Sequence, residues 1–174
     1  MNDKANQEIQ KLVQSCIETC EAVRSKYGME FDVQNILKVD LMRFMMYLSA
    51  SDGKIAAEEA KTVSDVVGLE HIHPENLADL IKECNVYTET FERTVPAILR
   101  FAVTIDNAIY NDGKKADLAH HIIELYKAAG ALLIQTDNNI DEREKRDYSI
   151  YIQMLESYRT KTSKIAQTPV AEKK

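Results

Sequence analysis

With 174 residues, 45% of them hydrophobic and 29% charged, the chain has the size and composition of one globular domain, which argues against a disordered chain and against a need for stapling. A net charge of −6 disfavours nucleic-acid binding, which needs clustered Lys and Arg to displace counterions. No apolar run approaches the roughly 20 residues that span a bilayer, and the opening MNDKANQEIQ lacks an apolar signal core, so a cytoplasmic protein without a membrane span is expected. Cys16, Cys20 and Cys84 are then read as reduced thiols.

Five Gly and three Pro are little punctuation for this length, which favours long helices over many short strands. The first helix is predicted over Asn2 to about Lys26, with Ile9, Leu12, Val13, Cys16, Cys20 and Val23 on one face. Cys-x-x-x-Cys is not the Cys-x-x-Cys of redox or metal sites, so these thiols are assigned to the core. Gly28 ends this helix, and Asp32 is the N-cap expected for the next. The second helix carries Ile36, Leu37, Leu41, Phe44, Met45 and Leu48, widened by Met42, Met46 and Tyr47, and is expected to be central. The turn Ser51-Asp52-Gly53-Lys54-Ile55 leads into a third helix with Glu58 and Glu59 in its first turn, ended by Gly68.

Pro74 opens a fourth helix. His71, His73, His120 and His121 show no recognisable zinc spacing and are read as surface or capping residues. A fifth helix is expected from Glu89 to about Tyr110, with Pro96 near its start, either bending it or marking the true first turn. It closes at Asn111-Asp112-Gly113-Lys114, which is read as a plain connection. The sixth runs from Asp117 to Gln135. The seventh follows the turn Thr136-Asp137-Asn138-Asn139-Ile140, is capped by Asp141 with Glu144 three residues on, and ends near Tyr158. Residues 160–174 are expected to be a disordered tail. The predicted architecture is a single all-α domain of six to seven helices. An N-terminal helix (1–30) packs on a helical core (31–159) built from two pseudo-symmetric hairpins.

Those hairpins, within 36–70 and 121–155, superpose without a gap at an offset of 85. Leu48 meets Leu133, Asp52 meets Asp137, Ile55 meets Ile140 and Glu59 meets Glu144. The shared Leu-x3-Asp-x2-Ile-x3-Glu builds the same acidic turn twice. On one reading Asp and Glu cap the turn and the helix N-terminus. On the other, Asp52, Glu59, Asp137 and Glu144 converge on a calcium or magnesium ion that relieves their repulsion. The loop is not an EF-hand, because Lys54 and Ala56 stand where oxygen ligands would be needed.

At LSASDGKIAAEEAKTV and the second acidic hairpin, the chain resembles the tellurite-resistance TerB-like domain family. That domain also forms the N-terminus of a membrane-anchored DnaJ-like co-chaperone. The resemblance covers Ile36 to Gly68 well and Ile122 to Tyr158 more loosely, and its matching positions are Asp52, Gly53, Ile55 and Glu59. It implies an all-helical fold, a stress-response context and an acidic, metal-binding surface. Asn138 departs from the pattern, standing where the first turn has Gly53, and no J-domain pattern is present. No nucleophile triad, P-loop, dinucleotide loop or H-E-x-x-H pattern occurs, so no enzymatic activity is expected. Di-metal bundle enzymes need Glu-x-x-His, and Asp117-Leu118-Ala119-His120 only approaches it. A cation-free protein-interaction module, with a surface patch of Met42, Met46 or Tyr47, is the competing expectation.

Overall fold

A computed structural model describes residues 2–28, 30–51, 56–68, 74–84, 91, 93–136 and 141–168. Among these residues there are eight helices and no strand: α1 (Asn2–Lys26), α2 (Val33–Ser49), α3 (Ala57–Val67), α4 (Pro74–Cys84), α5 (Ala97–Asn111), α6 (Leu118–Ile134), α7 (Glu142–Thr162) and α8 (Lys164–Gln167). The all-α expectation holds, and none of these helices is long and apolar enough to cross a membrane.

The punctuation residues act as their chemistry dictates. Asp32 caps α2 by accepting from Asn35 N at 2.9 Å. Gly28 and Gly68 take φ of 63° and 70°, which a side chain would strain, and there α1 and α3 stop. Pro96 marks the start of the helix rather than a bend in it: residues 94–96 are not helical and Pro96 is the N-cap of α5, so the helix does not run unbroken from Glu89. The proline ring pushes the preceding residue out of helical geometry. The end expected near Tyr158 is corrected: α7 runs on to Thr162. Of the expected disordered tail, 160–168 is ordered onto α5. There Asn107 donates to the Thr162 carbonyl at 2.9 Å and accepts from Lys164 N at 2.8 Å, and Ser163 is fully buried.

The repeat is larger than the two hairpins. Val33 and Leu118 begin α2 and α6, and Ser49 and Ile134 end them, each pair 85 positions apart. Lys26 and Asn111, which end α1 and α5, stand 85 apart as well, and so do the positive-φ residues Gly28 and Gly113. The Asp112-Gly113 turn is therefore not a plain connection but the second copy of Tyr27-Gly28. The unit is three helices, α1–α2–α3 followed by α5–α6–α7. The first helix of each copy packs on the second helix of the other. Tyr27 Oη donates to Asp112 Oδ2 at 3.2 Å, so one residue touches its own equivalent, as it must beside a pseudo-twofold axis.

The core lies where α2, α6 and α7 meet. Phe44, Tyr126 and Tyr151 pack ring on ring there. Gly130 of α6 admits this packing. A Cβ on it would stand 2.6 Å from Tyr148 Cδ2 and 3.0 Å from Phe44 Cζ. Gly130→Ala would gain up to about 1 kcal/mol of helix propensity, but forcing two packed rings apart costs about 1–3 kcal/mol. A net loss in chemical-denaturation midpoint is expected, and a gain would show that the rings yield freely.

Candidate functional site

The acidic turns join equivalent ends. α2 and α6 both finish on residues in αR conformation, Ala50 and Gln135. Beyond them Ser51 and Thr136, also 85 apart, turn their hydroxyls back onto the carbonyls of Tyr47 (3.2 Å) and Leu132 (2.9 Å). The turns 52–55 and 137–140 follow, so Asp52, Ile55, Asp137 and Ile140 lie outside the described residues, as do His71 and His73. Of the four residues expected to hold a cation, the structure describes Glu59 and Glu144. They occupy the third position of α3 and of α7, and each is only 4% exposed.

Glu59 Oε2 accepts from Ala56 N at 2.7 Å, the back-reaching half of a capping box. Ala56 has no side-chain acceptor for the other half. In the second copy the cap residue serves itself, as Asp141 Oδ1 accepts from Arg143 N at 2.7 Å. The expected pairing of Asp141 with Glu144 is thus replaced, on the Asp141 side, by a bond to the second helical amide. Thr62 Oγ1 lies 3.4 Å from Thr136 Oγ1, both buried. Thr62 is one turn along from Glu59 on the same face of α3. The face bearing Glu59 therefore meets the residue just before the second turn. The equivalent of Thr62 is Asp147, a buried carboxylate held by Arg146 Nη2 at 2.9 Å and one turn along from Glu144. Sequence reasoning passed it over. The signal was there in Glu144-x-x-Asp147 lying 85 positions after Glu59-x-x-Thr62. Among the described residues, no three His, Cys, Asp or Glu side chains group closely enough to hold a metal ion.

At the far end of α6, about 24 Å away along its axis, lies an apolar cleft of about 360 Å³ between α1 and α6. Leu12, Cys16 and Cys20 line it from α1, and Leu118, Ile122 and Leu125 from α6. Leu12, 45% exposed, stands at its mouth. Both thiols are free and buried, as expected for core residues. Burial raises them, Cys16 to about 11 and Cys20 to about 12, so they stay protonated and unreactive at neutral pH. His120 and His121 are exposed at the start of α6, in keeping with surface histidines. Asp117, in the poor Glu-x-x-His look-alike, is a structural group: it accepts from His120 N at 3.2 Å and from Arg159 Nε at 3.0 Å.

The central position expected for α2 holds, and the exposed patch of Met42, Met46 or Tyr47 that belonged to the competing expectation is corrected. Met46 and Tyr47 are buried and Met42 is partly buried, because α2 is covered on several sides by α1, α3, α5 and α6. No family model, no curated protein and no solved structure matches the chain.

Proposed function

We propose that this chain is a non-enzymatic, TerB-like stress-response module whose two hairpin turns share one divalent cation, calcium or magnesium, through Asp52, Glu59, Asp137 and Glu144. The observation that carries the reading is the buried Thr62–Thr136 contact, which joins the Glu59 face of α3 to the residue before Asp137. Two glutamates buried at equivalent positions support it, because Glu59 and Glu144 put the same carboxylate at the helix start that follows each turn. Hard divalent cations take oxygen ligands of this kind.

Calorimetric titration of calcium, magnesium, manganese and zinc into chelator-treated protein tests the reading, beside an Asp52→Asn/Asp137→Asn double variant. Calcium or magnesium binding in the tens of micromolar or tighter, about 6 kcal/mol or more, is expected for the wild type and not for the variant. Absence of heat and of thermal stabilisation in the wild type would overturn it.

The second reading is a cation-free protein-interaction module, and the bond from Ala56 N to Glu59 favours it, because it gives Glu59 a purely structural task. Under that reading both proteins melt at the same temperature with and without cation.

A further inference from the structure

The two copies of the repeat differ where their first helices meet the second helix of the other copy. Beside the contact of α5 with α2, Phe31, just before α2, and Phe101 of α5 pack edge to face, with centroids 5.4 Å apart and rings at 78°. The residues 85 positions from them are Ala116 and Cys16, and both line the cleft between α1 and α6. Two small residues thus line the cleft at the positions that carry the two phenyl rings in the sister copy. Its margin differs in the same sense: His121 and Glu124 stand where the other copy has Ile36 and Val39. The fold has an apolar, ring-filled solution to this contact and uses it in one copy; in the other it leaves an apolar space with polar groups at the edge.

We propose that the cleft between α1 and α6 binds a small uncharged molecule of about two aromatic rings bearing one hydrogen-bond donor. The volume of about 360 Å³ lies within the roughly 300–1,000 Å³ of small-molecule pockets, and apolar walls with a few polar groups are their usual make-up. The donor is set by His121. Its Nδ1 lies 2.8 Å from the Asp117 carbonyl oxygen, which can only accept, so in the neutral ring Nδ1 carries the proton and Nε2 is the acceptor. The uncharged class follows from the carboxylates at the margin. Asp117 is held by Arg159, and Glu124 by Lys127 at 2.9 Å, so a cationic ligand finds both already paired. An anion likewise finds Arg159 and Lys127 already paired, so a charged ligand of either sign would leave water with no unpaired opposite charge to meet it.

The test uses the full chain and 1-naphthylamine, a neutral two-ring fluorescent probe with one amino donor group. A saturable one-to-one rise in fluorescence is expected, reversed by 2-naphthol. Naphthalene, which lacks the donor, should compete about three- to tenfold less well, and 2-naphthoate, which adds a negative charge, about tenfold less well. Ala116→Phe and Cys16→Phe rebuild the sister contact one ring at a time. Each should keep the helical circular dichroism and weaken the probe about tenfold or more. If Cys16→Phe fails to fold, Ala116→Phe, outside any helix and half-buried, decides the matter alone. The absence of saturable binding, or a folded Ala116→Phe protein that binds like the wild type, would overturn the site. Equal competition by naphthalene would overturn the donor, and stronger competition by 2-naphthoate the uncharged class.

Discussion

Phe44→Ala is expected to lower the unfolding free energy by about 3–5 kcal/mol, the range for emptying a large aromatic site in a core. The residue is fully buried on α2. Its ring lies 5.1 Å from that of Tyr126 on α6 and 4.8 Å from that of Tyr151 on α7, so one side chain joins both copies of the repeat. The surroundings cannot collapse into the gap, because Tyr126 and Tyr151 are stacked on each other at 6.2 Å and are themselves buried. A loss of this size is a fifth or more of the about 5–15 kcal/mol that holds a typical domain together. Equilibrium urea unfolding would show it as a lower midpoint with the same slope. Phe44→Leu, which keeps most of the volume, should cost clearly less. Equal losses for the two would mean that the ring stacking, not the volume, holds the helices together.

Asp106→Ala should cost about 3 kcal/mol or more, because it strips two buried amides of their acceptor at once. Asp106, on α5 and almost fully buried, accepts from Leu118 N and Ala119 N, both at 2.9 Å. Those are the first two amides of α6; the third, of His120, is taken by Asp117. A helix start sunk in the core has no water to satisfy such donors. Asp40 does similar work for α5, accepting from Ile98 N at 2.9 Å where Pro96 offers no side-chain acceptor.

The same residue predicts a pH dependence. Burial raises the Asp106 carboxyl above its ordinary 3.8, against the opposing pull of the two amides, and burial raises Asp40 likewise. Between 3.8 and the raised folded value the folded protein holds more protons at Asp106 than the unfolded chain does. This contribution is therefore largest at low pH and is lost as pH rises through that window. Asp106→Ala removes it, so the gap between wild type and variant should widen when unfolding is measured at pH 4 rather than pH 7. A gap that narrows would mean that the amides outweigh the burial.

Local signals in the sequence determined the helices and most of their ends. Asp32, Gly28, Gly68 and Pro74 act through their own backbone or side chain within a turn of chain, and the apolar face of α2 repeats at helical spacing. The offset of 85 was readable for the same reason, and so was the equivalence of Glu59 and Glu144. In the sequence only the hairpins show the repeat, because α1 and α5 share little apart from their ends. Cys16 faces Phe101 in the alignment and Glu21 faces Asp106, and only the common ends at Lys26 and Asn111 and the positive φ of Gly28 and Gly113 reveal the longer unit.

Tertiary structure alone decided what lies far apart in the chain. The wide apolar surface of α2 marked it as central, but which helices bury Met46 and Tyr47 is decided by the packing: α1, α3, α4, α5, α6 and α7 all lie against α2. Residues 160–168 are polar enough to read as a tail, yet the Asn107 amide and the closure over Ser163 order them. The Thr62–Thr136 contact that carries the cation reading spans 74 positions. The cleft lies where α1 packs on α6, with small residues at its wall, Cys16 on α1 and Ala116 just before α6. Capping and periodicity are settled within a turn or two of helix; burial, cross-copy contacts and cavities depend on which faces meet, and that is fixed only when all the helices pack at once.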